Sequence, residues 1–167
     1  VFLRLAETPR LYTPLFSASI LDEVDRTHTK DLNWPQHIAE SWRRAVESSF
    51  AESIVTGHES LIPICKNNEK DRHVLAAAIK GQAEVIVTFN LKDFPKESLS
   101  DFDITAVHPS DYLNTLYSID AGLVVSRIDA LAQKRNRPRE VLLATLAKSV
   151  PGFSDNVADH LGLTLPP

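Results

Sequence analysis

Asp71, Asn90 and Asp93 are the residues whose types and spacing could do chemistry in this chain of 167 residues. All three fall in one stretch, Lys70-Asp71-Arg72-His73-Val74-Leu75-Ala76-Ala77-Ala78-Ile79-Lys80-Gly81, then Val85-Ile86-Val87-Thr88-Phe89-Asn90-Leu91-Lys92-Asp93-Phe94-Pro95. Two carboxylates and an amide oxygen form the donor set that a hard cation such as Mg²⁺ or Mn²⁺ prefers. Each residue also has a plainer reading. Aspartate at a helix start is among the best N-caps. Asparagine and aspartate before a proline stabilise turns through their own backbone.

The surrounding residues predict elements that would bring these side chains together. The alanine-rich run ends at Gly81, and Val85-Ile86-Val87 is a short β-branched run. The stretch therefore reads as helix, tight turn, buried strand and loop, with Asp71 capping the helix to Lys80 and a strand over 85–89. In a parallel α/β sheet, ligands are held at the carboxyl ends of strands, where Asn90 and Asp93 lie. His73 follows Asp71 closely, yet a histidine in a first helical turn more often packs or caps, and metal-activated water needs no such base.

Upstream, residues 1–8 read as helix, 11–16 as a short strand, and Ser17 or Ser19 as the cap of a helix over 18–29. Pro35 opens a helix to about Phe50, with Ile38, Trp42, Val46 and Phe50 on one face and Arg43 and Arg44 on the other. Residues 52–64 look extended, with Ile54-Val55 as an edge strand. Downstream, 104–107 is a further strand and Ser110 caps a helix through Ser118. The alternation argues for a parallel sheet with helices on both faces. From Asp120 the pattern turns all-helical, with apolar residues at Val124, Ile128, Leu131, Val141, Leu142, Leu146, Phe153 and Val157 and a last helix ending at Gly162. The boundary is placed at 119, giving a domain over 1–119 and a helical extension over 120–167. Such apolar stripes are expected to be buried against one another, the body or a second chain.

Composition excludes several classes. A content of 43% hydrophobic and 24% charged residues fits a soluble globular protein, and the first residues lack the basic-then-apolar layout of a signal peptide, so the chain reads as cytoplasmic. No apolar run nears the ~18 residues of a membrane span. A single cysteine, Cys65, rules out an internal disulfide and a multi-cysteine zinc site. The histidines His58, His108 and His160 show no metal-ligand spacing. A net charge of −4 argues against nucleic-acid binding by bulk positive charge, though an acidic site gains positive character once loaded with metal. The dense basic run Lys134-Arg135-Asn136-Arg137-Pro138-Arg139 reads as a solvated loop or as a phosphate contact. No dinucleotide or P-loop glycine pattern occurs.

The patterns Asp71-Arg72-His73-Val74-Leu75-Ala76-Ala77-Ala78 and Val87-Thr88-Phe89-Asn90-Leu91-Lys92-Asp93-Phe94-Pro95 resemble the PIN domain, the metal-dependent ribonuclease fold of VapC-type toxins. The resemblance extends to Ser19-Ile20-Leu21-Asp22-Glu23-Val24 and to Ile104-Thr105-Ala106-Val107-His108-Pro109, and so covers roughly residues 1–110. It implies a PIN-like parallel sheet sandwiched by helices, with Glu23, Asp71 and Asp93 as catalytic acids. Together with Asn90 they would hold Mg²⁺ or Mn²⁺, with Arg72 on phosphate and Thr88 on a ligand carboxylate. Glu23 alone would read as a solvated helix residue, and Asp22 points ~100° away from it. Many family members carry aspartate where this chain has Asn90, so the site has one negative charge fewer. The implied partners are RNA, a cognate antitoxin and a second copy of the chain. A catalytically silent module binding RNA or an antitoxin is the alternative. The resemblance further implies a strand carrying an aspartate ahead of Val1, so residues 1–167 alone are expected to bind metal weakly and cleave RNA poorly.

Overall fold

In the computed structural model, which describes residues 1–166, the helices are α1 (Phe2–Leu5), α2 (Ala18–Arg26), α3 (Gln36–Ser49), α4 (Arg72–Lys80), α5 (Lys96–Leu99), α6 (Pro109–Ile119), α7 (Ala121–Lys134), α8 (Arg139–Ala147) and α9 (Pro151–Leu161). The strands β1 (Val85–Val87) and β2 (Thr105–Val107) pair in parallel, with the Thr105 N–H donating to Glu84 O at 2.9 Å and the Thr88 N–H to Val107 O at 3.0 Å. The described chain is thus mostly helical, with a small two-stranded parallel sheet. Among the described residues no helix is long and apolar enough to cross a membrane. Pro167, the last residue of the expected extension, lies outside the described residues.

The chain divides into two compact units. One comprises Val1–Thr13, Val87–Phe89 and the chain from Val107 onward; the other comprises Pro14–Ile86 and Asn90–Ala106. The first is a helical assembly whose core holds Leu5, Leu113, Val124, Ile128, Leu143, Phe153 and Val157, each at most 1% exposed. The apolar spacing of four that marked Val124 and Ile128 places both on one buried stripe of α7. Leu131 and Leu146 pack against the same core, as expected of them. Asp120 caps α7 by accepting from the Leu123 N–H at 2.8 Å, and α9 closes at Gly162, whose φ of +64° suits glycine.

Ser110 does not cap its own helix. With Pro109 in the first helical position the last non-helical residue is His108, and its Nδ1 accepts from the Ser110 N–H at 3.2 Å. The Ser110 hydroxyl serves α9 instead, accepting from the Phe153 N–H at 2.8 Å. One of the orphan donors of that helix start is satisfied from 43 residues away.

The second unit carries the motif stretch. Leu75, Ala76 and Ala78 on α4 are buried with Cys65, Ile86, Phe94, Leu99 and Ile104. Ser17 caps α2 through the Ile20 N–H, as its type predicts. The helix then stops at Arg26 and widens into a π turn over Thr27–Asp31, where Thr29 Oγ1 donates back to Asp25 O at 2.8 Å. The strands expected at 11–16 and 54–55 shrink to one parallel bridge between Phe16 and Ile54. Pro14 has no N–H to donate, and the 3₁₀ turn Ala51–Ser53 curls the facing segment away from a ladder. Residues 59–64 likewise form a 3₁₀ turn rather than an extended run.

Gly81 ends α4 for a reason other than handedness. Its φ is −84°, and the left-handed residue is Gln82 at +56°. A Cβ at Gly81 would stand 2.6 Å from Leu15 Cδ1 and 2.9 Å from Val55 Cγ2, so the glycine is there for close packing. Gly81→Ala is expected to destabilise by about 1–3 kcal/mol through overpacking. Gln82→Gly is expected to leave stability unchanged or raise it by up to about 1 kcal/mol, because it relieves the left-handed strain. Chemical denaturation of the two variants checks both signs.

Candidate functional site

The carboxylates singled out by the sequence come from three elements of one unit: Glu23 from α2, Asp71 from the turn that opens α4, and Asp93 from the 3₁₀ turn Leu91–Asp93 that follows β1. Arg43 on α3 fixes the rotation of α2. Its guanidinium lies 2.6 Å from Asp22 Oδ1, 2.7 Å from Asp25 Oδ2 and 2.9 Å from Glu47 Oε1. With Asp22 drawn to that side, the neighbouring Glu23 turns toward α4, where His73 Nε2 stands 3.5 Å from its Oε2. Its carboxylate keeps 45% exposure and has Arg26 3.7 Å away on the other oxygen. His73 therefore faces Glu23 across the two helices.

Asp71 occupies the N-cap position of α4, but its side chain makes no capping hydrogen bond. The preceding 3₁₀ turn Glu69–Asp71 takes that work, because Asn68 accepts from the Lys70 N–H at 3.1 Å. The Asp71 carboxylate is thereby left for other partners. Partial burial pushes its pKa up, and the negative charges of Asp93 and then Glu23 push it further; the positive character of His73 and Lys70 opposes them. Three acidic groups from three elements thus act on one locus.

Asp93 is held on both carboxylate oxygens. Asn68 Nδ2 donates to Oδ1 at 3.0 Å and Asn90 Nδ2 donates to Oδ2, while the Asp93 N–H donates to Asn90 O at 3.0 Å. Asn90 thus turns its amide nitrogen to Asp93. Arg72 reaches back to Asn67 O at 3.4 Å. Thr88 lies in the other unit, half-buried, where its N–H pairs with Val107. In the basic run Lys134–Arg139, Arg139 is neutralised by Asp129, 2.6 Å from its Nη2.

The donor set of three carboxylates and an amide oxygen fits a hard divalent cation, and the crowding that raises Asp71 is of the sign that a cation offsets. Among the described residues no three His, Cys, Asp or Glu side chains stand together closely enough to hold a metal as placed. Asp93 is turned onto the amides of Asn68 and Asn90, and Glu23 lies between Arg26 and His73. An apolar groove of about 710 Å³ lies along Leu91, Phe94, Pro95, Leu99 and Ile104, and none of the three acids lines it.

Sequence reasoning passed over Asn68, which looked like part of a polar loop. Its capping of the next turn was legible in residue type, but its bond to Asp93, 25 residues on, was not.

The sequence is 36% identical over 129 residues to a curated protein of Mycobacterium tuberculosis (strain ATCC 25618 / H37Rv) named "Putative ribonuclease VapC50", an alignment covering 73% of this chain and 75% of the relative. No family model matches the chain, and no solved structure matches it.

The raised Asp71 pKa has a consequence for stability. The folded chain holds the proton to higher pH than the unfolded chain does. Stability therefore falls as pH rises from the ordinary aspartate range through the raised value. Asp71→Asn removes that penalty and is expected to melt higher than the unaltered chain at pH 7 in EDTA, with the difference vanishing in acid below the ordinary aspartate range. A lower melting temperature for the variant at pH 7 would show that the carboxylate is stabilised where it sits.

Proposed function

The chain belongs to the VapC-type ribonuclease family, and on that premise we propose that it is a metal-dependent endoribonuclease, the toxin of a toxin–antitoxin pair, which hydrolyses RNA phosphodiester bonds. The observation that carries the proposal is the placement of Glu23, Asp71 and Asp93 on three elements of one compact unit, with the turns that bear Asp71 and Asp93 joined through Asn68. On this reading Glu23, Asp71 and Asp93 hold Mg²⁺ or Mn²⁺, with Asn90 adding a neutral oxygen. Bound there, such an ion lowers the pKa of an attacking water and offsets charge building on the phosphodiester.

The residues of the chain supply placement. Asp71 provides the partly buried carboxylate whose charge, set beside Asp93 and Glu23, a bound cation would offset. Asp93 enters already oriented by two amide donors, and Glu23 faces His73 across the two helices. Arg72 steers phosphate. The fold is read as a PIN-like sheet between helices over 1–119 with a helical extension over 120–167. The chain works in the cytoplasm, without a membrane, on RNA and with an antitoxin and a second copy of itself as partners.

Cleavage of labelled single-stranded RNA by the purified chain tests the proposal. Cutting is expected with Mn²⁺ or Mg²⁺ and not in EDTA, and Asp71→Asn is expected to lower the rate by about 100-fold or more, the scale of losing one preorganised electrostatic group. Metal-dependent RNA binding without any cleavage would favour a catalytically silent module. Cleavage that survives EDTA and Asp71→Asn would place the chemistry elsewhere.

A further inference from the structure

We infer that Asn68 is a positioning residue that brackets the two acid-bearing turns, Glu69–Asp71 and Leu91–Asp93. Its meaning for catalysis rests on the ribonuclease reading, but its geometry does not. Asn68 uses every polar group it has. Its Oδ1 accepts from the Lys70 N–H at 3.1 Å and its C=O accepts from the Asp71 N–H at 2.9 Å, which ties it to the first turn. Its Nδ2 donates to Asp93 Oδ1 at 3.0 Å and its N–H donates to Asp93 O at 3.1 Å, which ties it to the second.

Asparagine is the side chain this bracket requires. Aspartate would keep the acceptor for Lys70 but set a second negative charge against Asp93. Serine would cap the turn but is too short to reach across it. The Lys70 N–H also fixes which way the amide faces: the oxygen must point to that donor, and the nitrogen is then presented to Asp93. Packing does not explain the arrangement, because Asn68 is exposed. Its neighbour Asn67 is the buried one, 4% exposed. What Asn68 does is hold one acidic side chain by its oxygen and the backbone of the other acidic residue by its amide, so that the separation between Asp71 and Asp93 follows from a single residue.

Serine separates the two roles. Asn68→Ser keeps an acceptor for the Lys70 N–H and loses the donor to Asp93, whereas Asn68→Ala loses both. The full chain is compared with both variants by amide hydrogen exchange without metal and by calorimetric titration with Mn²⁺ alone. With Asn68→Ser, exchange at Asp93 and at position 68 is expected to quicken about fivefold, as for one lost hydrogen bond, while exchange at Lys70 stays unchanged. Mn²⁺ affinity is expected to drop about tenfold, the cost of removing a group that orients a ligand. Asn68→Ala should add faster exchange at Lys70. Unchanged exchange at Asp93 in Asn68→Ser overturns the inference, and so does faster exchange with undiminished Mn²⁺ affinity. An unaltered chain that takes up no Mn²⁺ instead overturns the ribonuclease reading, and the metal-free exchange then decides the bracket by itself.

Discussion

The placement of Asp71, partly buried and facing the negative charges of Asp93 and Glu23, is the constraint on which the candidate site in the motif-bearing unit depends. Two charges 4 Å apart near a protein surface interact by about 4 kcal/mol, so acids drawn from three elements separate unless each is held. The holders differ in kind. Arg43 pulls Asp22 and Asp25 to one side of α2 and thereby presents Glu23 on the other. Asn68 and Asn90 occupy the two oxygens of Asp93. Asp71 has no such clamp on its carboxylate, and its pKa is raised by partial burial first and by the charges of Asp93 and Glu23 second.

The rest of that unit makes these placements rigid. The alanines of α4 let it approach Ile86 on β1 closely, and the missing side chain at Gly81 lets Leu15 and Val55 close over the helix end. The 3₁₀ turns Glu69–Asp71 and Leu91–Asp93 are each three residues long, and Asn68 bonds to both. The helical unit has its own core and its own long-range cap, in which Ser110 serves the start of α9.

Much of this was legible in residue type and spacing. The four-residue apolar stripe of α7, the Ser17 cap, the stop at Gly162 and the β-branched run of β1 all follow from local rules. Asp71 and Asp93 were proposed for the candidate site from their place beside a helix start and a strand end, and Glu23 only through family resemblance. What escaped is non-local. Nothing adjacent to Asn68 announces Asp93, and nothing adjacent to Ser110 announces Phe153. Competing local chemistry explains the other departures. Pro109 moved a cap back to His108, Asn68 relieved Asp71 of capping, and Pro14 with the turn at Ala51–Ser53 cut an expected strand pair to one bridge.

The central claim is that Glu23, Asp71 and Asp93 form one electrostatic unit that receives a single kind of cation. The most direct measurement is a Mg²⁺ titration of the chain followed by NMR at the side-chain carboxyl carbons of these three residues. The three signals are predicted to shift together with one common dissociation constant, and Asp93→Asn should weaken the response at Glu23 and Asp71 as well. Three signals that move independently, or that stay still while other carboxylates respond, would contradict it.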